Sequence, residues 1–155
     1  MSAEFWIEKL KLAPHPEGGY YSEFYRSEQS VKSATVNRDR RSVTHIYFLL
    51  LEGQVSLFHK VAHDEIWNFY EGDPIRFLKY DAFGIEEDIV GAACNGYVSI
   101  VKGGVYQAAE STGAYSLVGC TVAPGFEFED FLFLRDELKH KEKFIEEFPD
   151  YLKFV

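Results

Sequence analysis

The stretch GQVSLFHKVAHDEIWNFYEG, Gly53 to Gly72, decides how this 155-residue chain is read. Two runs rich in β-branched and aromatic residues, QVSLFHKV and EIWNFY, flank a polar tip at Ala62-His63-Asp64. Such a pattern predicts an antiparallel hairpin. Side chains two apart on a strand share a face, so His59 sits with Val61, and Glu65 with Trp67 and Phe69. The turn then brings the second strand back beside the first, placing His59 and Glu65 near one another. His63 is roughly 13 Å from His59 along an ideal strand and is expected at the rim.

Outward from this hairpin the same rhythm recurs. VTHIYFLL, IRFLKY, GYVSIV, VYQAA and AYSLVGCTVAP are short β-rich runs, separated by turn signals such as Glu71-Gly72-Asp73-Pro74 and Lys102-Gly103-Gly104. The expected class is all-β, a sandwich or closed barrel of antiparallel strands. Upstream, PHPEGGYY (Pro14 to Tyr21) forces a turn before a strand at Tyr20 to Arg26, and the polar stretch Ser27 to Arg41 reads as a loop. His15 and Glu17 read as turn residues in a stiff connector. Short helices are expected at both ends. Phe5, Trp6, Ile7 and Leu10 form one stripe within Ser2 to Leu12, and Leu138, Ile145 and Phe148 form another within Asp136 to Phe148. No repeat interrupts the chain, and residues 1–155 are read as one domain.

Composition narrows the function classes. Fourteen Phe, ten Tyr and two Trp suit pleated surfaces and pocket walls. A net charge of -9 argues against a nucleic-acid partner. No apolar run approaches a membrane span, and the acidic N-terminus MSAEFWIEKL is unlike a signal peptide, so the expected location is cytoplasmic. Cys94 and Cys120 are then expected to be thiols, not a disulfide. There is no GxSxG elbow, no phosphate-cradling GxxxxGK[ST] and no HExxH.

The order Gly53, His59, Val61, Glu65, Gly72 resembles the first motif of the cupin superfamily. Gly96, Lys102, Gly104, Gln107 and Ser111 resemble the second motif. Val61 stands at the second histidine position and Gln107 at that of the last metal-binding histidine. PHPEGGYY, HDEIWNFYEG and LVGCTVAPGFEFEDF together look like one small-cupin branch of largely unassigned function. The resemblance implies a double-stranded β-helix, the jelly-roll barrel, pairing as a homodimer around a polar cavity.

Two of the four expected metal ligands are changed, which leaves the site open between two readings. In one, His59, Glu65 and Gln107 weakly hold a divalent transition metal (Fe, Mn, Ni or Zn) for dioxygenase or isomerase chemistry. In the other, no cofactor is bound, and the same residues hydrogen-bond a polar small molecule. His59 and Glu65 are then the catalytic candidates, for a sugar or nucleotide-sugar isomerase or epimerase by analogy of fold. Gln107, Tyr47, Trp67, Phe69 and Tyr106 are the expected ligand contacts. Tyr47, Tyr106 or Tyr20 would supply an acid partner. A metabolite-binding module without chemistry is the third reading.

Overall fold

Some strands with alternating burial and others buried on both faces build two sheets that share one core, in a computed structural model that describes residues 1–94 and 96–155. The strands are β1 (Ala13–Pro14), β2 (Tyr20–Arg26), β3 (Ser30–Ser33), β4 (Arg38–Arg41), β5 (Thr44–Leu51), β6 (Val55–Lys60) and β7 (Asp64–Gly72). They continue with β8 (Ile75–Asp81), β9 (Gly84–Val90), β10 (Val98–Val101), β11 (Tyr106–Ser111), β12 (Tyr115–Ala123) and β13 (Leu132–Phe133). One sheet runs β1-β2-β5-β12-β7-β10 and the other β13-β6-β11-β8-β9, with all the pairings antiparallel. This is the jelly-roll barrel that the resemblance implies. Phe48 and Leu50 of β5 and Val118 of β12 meet Ile75 and Phe77 of β8 and Ala109 of β11 between the sheets.

Both outer faces are partly covered, which is why several strands are apolar on two sides. Helix α1 (Ala3–Lys9), capped by Ser2 Oγ accepting from the Phe5 N–H, helps to cover Leu49 and Leu117. Helix α2 (Leu138–Glu147) and the 3-10 turns that follow lay Phe144 and Phe154 on Phe58, Leu78 and Tyr80. Both helices fall within the spans expected from their apolar stripes.

The stretch Ser27 to Arg41 corrects one expectation. It is not a plain loop: β3 and β4 pair as a hairpin. Arg40 anchors it by a two-pronged hydrogen bond to Asp130, at 2.8 and 2.7 Å, and both side chains are buried. That contact spans 90 residues of sequence, so no local pattern announces it. His63 is covered here as well. It is 4% exposed and bonded to Ser33 Oγ at 2.6 Å, so it does not stand at an open rim.

Candidate functional site

The barrel holds a cavity of about 440 Å³ whose polar lining includes His15, Glu17, His59 and Glu65, with Trp67 and Cys120 beside them. Period two explains two of these. His59 faces inward from β6, and Glu65 alternates with Trp67 on the inner face of β7. Glu17 arrives differently. Gly18 and Gly19 have φ of +108° and +77°, and a Cβ on Gly18 would lie 2.1 Å from the Val55 carbonyl oxygen. Only glycine lets the chain press this closely against the barrel. The Glu17 carbonyl accepts the Leu57 N–H at 2.9 Å, and its side chain turns into the cavity.

Hydrogen-bond directions then fix where a proton sits. His59 Nδ1 is 2.7 Å from the Leu57 carbonyl, which can only accept, so Nδ1 carries a hydrogen. Nε2 lies 3.0 Å from Glu17 Oε2, and Ser56 Oγ donates to Glu17 Oε1 at 2.9 Å. That arrangement requires a further proton between ring and carboxylate, and it is met by an imidazolium paired with a carboxylate. Burial opposes the charged ring, but the Glu17 charge and hydrogen bond outweigh it and hold His59 above its ordinary range. Burial likewise opposes ionisation of Glu17, yet His59, His15 and Ser56 hold its carboxyl below the usual value. His15 Nδ1 accepts the Glu17 N–H at 3.1 Å, and burial keeps this ring toward neutral.

Glu65 behaves in the opposite sense. Burial, reinforced by the Glu17 charge, pushes its carboxyl up to about 7, although His59, Gln107 and Cys120 pull the other way. Gln107 Nε2 donates to Glu65 Oε2 at 2.5 Å, while Gln107 Oε1 accepts from Trp67 Nε1 at 2.8 Å. The indole donor thus sets which way the amide points. Phe131 stacks on the His59 ring at 4.9 Å and 17°, and Phe128 closes the wall beside it. At the mouth, Arg26 pairs with Glu23 at 2.8 Å and with Glu127 at 2.7 Å.

The family model described as "Cupin superfamily (DUF985)" matches residues 4–134. The chain belongs to the cupin superfamily. A yeast relative, "Uncharacterized protein YML079W" of Saccharomyces cerevisiae, is 34% identical over 154 residues, covering 86% of this cupin and 77% of the yeast protein. Among solved structures, a hypothetical protein from Leishmania major is 32% identical with TM-score 0.82, covering 97% of this chain and 94% of that one. Protein SO0799 from Shewanella oneidensis is 31% identical with TM-score 0.80, covering 92% of each chain. Oxalate decarboxylase of Bacillus subtilis is 17% identical with TM-score 0.60, covering 88% of this chain and 34% of that one; the likeness is one of fold alone.

Of the residues singled out in the sequence, this cupin brings together His59, Glu65, Gln107 and Trp67. Phe69 lies in the inter-sheet core, outside the cavity wall. With Phe69, three expected ligand contacts are corrected, and Gln107 stands behind Glu65 instead of in the cavity wall. Tyr47 lies on the outer face of β5, among Phe24, His45 and Tyr70. Tyr106 faces out of β11 into the cluster beneath α2. Tyr20 packs near α1, away from the cavity. The connector residues His15 and Glu17, and the aromatic pair Phe128 and Phe131, line the candidate site although the sequence reading does not place them there.

The donor set does not fit a transition metal. Both His59 nitrogens are held by protein groups, the Gln107 carbonyl is taken by Trp67, and Val61 offers no donor. Among the described residues no cluster of three or more His, Cys, Asp or Glu side chains is arranged to hold a metal ion.

Proposed function

We propose that this cupin binds a polar small molecule in the barrel cavity and carries out proton transfer on it, a reaction of the isomerase or epimerase class. The observation that carries the reading is the contrast between two carboxyls in one cavity. Glu17 is held ionised against His59, while Glu65 titrates at about 7. A group with a pKa near the working pH both accepts and returns protons efficiently, and a pair of carboxyls pushed apart in pKa divides the acid and base roles. Glu65 is the proton-transferring group in this reading. His59, with both nitrogens engaged, positions Glu17 and supplies a fixed positive charge beside the reacting centre.

The test uses a mixture of cell metabolites incubated in D₂O. The protein is expected to introduce deuterium into one metabolite, unaffected by chelator, and Glu65→Gln is expected to lose the labelling by at least about a hundredfold. A metabolite retained by the protein yet never labelled would reduce this cupin to a binding module. Labelling abolished by chelator would instead support a metal-dependent reaction.

We further propose a cytoplasmic location, in which Cys120 in the cavity wall stays a thiol. We also propose that the protein is a homodimer. Ile66 and Tyr70 of β7 and Val98 and Ile100 of β10 are exposed, and Ile66 and Ile100 are register partners, so an apolar strip runs along that outer face. Light scattering is expected to give twice the 17.8 kDa chain mass, and Ile100→Glu to halve it. A monomeric native protein would refute the pairing.

A further inference from the structure

We propose that the cavity is selective for an organic cation, a primary ammonium or similar head bonded to Glu65 with an apolar body lying against the aromatic walls. The proposal rests on reading the cavity as a ligand site.

The charges lining the cavity carry the first step. Four carboxyls, Glu17, Glu23, Glu65 and Glu127, line it, with Lys11, Arg26 and His59 as cations. Glu17 is paired with His59, and Arg26 is divided between Glu23 and Glu127. Arg26 also donates to the Phe126 carbonyl, which leaves little donor capacity for an incoming anion. Among the described residues no basic side chain lies within ion-pair distance of Glu65; the His59 charge acts on it but is paired with Glu17. Glu65 receives only the Gln107 amide and the weak thiol donor of Cys120. A carboxylate accepts at about four lone-pair positions, so most of its capacity is unused. An anionic head would face Glu17 and Glu65, with His59 and Arg26 already committed and only the exposed Lys11 without an ion pair among the described lining cations. A cationic head would give Glu65 the partner it lacks.

The walls carry the second step. Tyr21, Trp67, Phe128 and Phe131 line the space beside these carboxyls, and aromatic faces attract desolvated cations through their quadrupoles. The volume of about 440 Å³ suits a ligand of modest size.

Proton linkage supplies a signature. The groups facing Glu65 are His59 from β6, Glu17 from the β1–β2 connection, Gln107 from β11 and Cys120 from β12. A cation held against Glu65 converts it to the carboxylate, the form that accepts a proton in the reaction proposed above. Binding at pH 7 should then release up to about half a proton per ligand, rising toward one at pH 6 and vanishing above about pH 8.

Isothermal titration calorimetry with benzylamine, benzyl alcohol and benzoate, in two buffers of different ionisation enthalpy, tests this. Benzylamine is expected to bind at least about tenfold tighter than benzyl alcohol, with benzoate weakest, and to release the stated protons. Glu65→Gln, confirmed folded by its circular dichroism, is expected to lose both the preference and the release. The proposal is overturned if benzoate or benzyl alcohol equals benzylamine, if benzylamine does not bind at millimolar concentration, if no proton is released, or if Glu65→Gln keeps the preference. Such a failure leaves the D₂O result standing, because labelling reports proton transfer whatever charge the ligand carries.

Discussion

Glu17→Ala is expected to destabilise the protein by about 3–5 kcal/mol between roughly pH 4.5 and 6.5, and by less at alkaline pH. Both members of the Glu17–His59 pair are almost wholly buried, with side chains 6% and 3% exposed. Removing the carboxylate strands the imidazolium and also leaves Ser56 Oγ without its acceptor. Burial then dominates, and His59 falls below its ordinary value of 6.5. The sign follows for each partner. Glu17, depressed in the fold, contributes stability that is present above its unfolded value of 4.5 and is lost as pH falls through its folded value. His59, raised in the fold, contributes stability that is full below 6.5 and is lost as pH rises through its folded value. The pair is therefore strongest between the two unfolded values. Urea unfolding of native protein and variant at about pH 6 and pH 9 measures it. A difference under about 1 kcal/mol at the lower pH, or one that does not shrink at the higher pH, would contradict the ion pair.

Much of this arrangement is legible in the residues, and the failures have definite physical causes. Alternation along Gly53–Gly72 places His59 on β6 and Glu65 with Trp67 on β7, because each strand has an inner face with period two. Tyr106 and Gln107 are adjacent on β11, so the same rule forbids both from facing the barrel interior. Gln107 goes in and Tyr106 out. Tyr47 is ambiguous by pattern, since α1 helps to bury the outer side chain Leu49 and leaves β5 apolar on both faces. Glu17 is the most instructive case. PHPEGG correctly reads as a turn, but the destination of the carboxylate depends on the contact of Gly18 with Val55, a register set by tertiary packing. The paired glycines directly after an acid were the available signal: two successive positive φ values permit a close backbone approach, and a close approach carries the preceding side chain inward. The β3–β4 hairpin offers no such signal, because Arg40 and Asp130 meet only once the barrel has closed.

Glu65 gives the second large effect, with the opposite sign to Glu17. A carboxyl raised from 4.5 to about 7 binds its proton more tightly in the folded protein than in the unfolded chain. Stability therefore falls as pH rises from 4.5 to 7, by on the order of 3 kcal/mol across that window. Glu65→Gln keeps the shape and an acceptor for the Gln107 amide but removes the ionisation. The variant is expected to match the native protein within about 1 kcal/mol at pH 4.5 and to exceed its stability by roughly 3 kcal/mol at pH 8. Urea unfolding at the two pH values checks this, and a difference that stays constant would show that Glu65 titrates normally. The other titrating groups are common to both proteins, so the change in their difference isolates this one carboxyl. A substitution that stabilises the fold while removing proton transfer marks a residue placed for chemistry. In an interior whose other buried carboxylate, Glu17, is paired with His59, a chargeable group that weakens the barrel at neutral pH is accounted for by what enters the cavity to meet it.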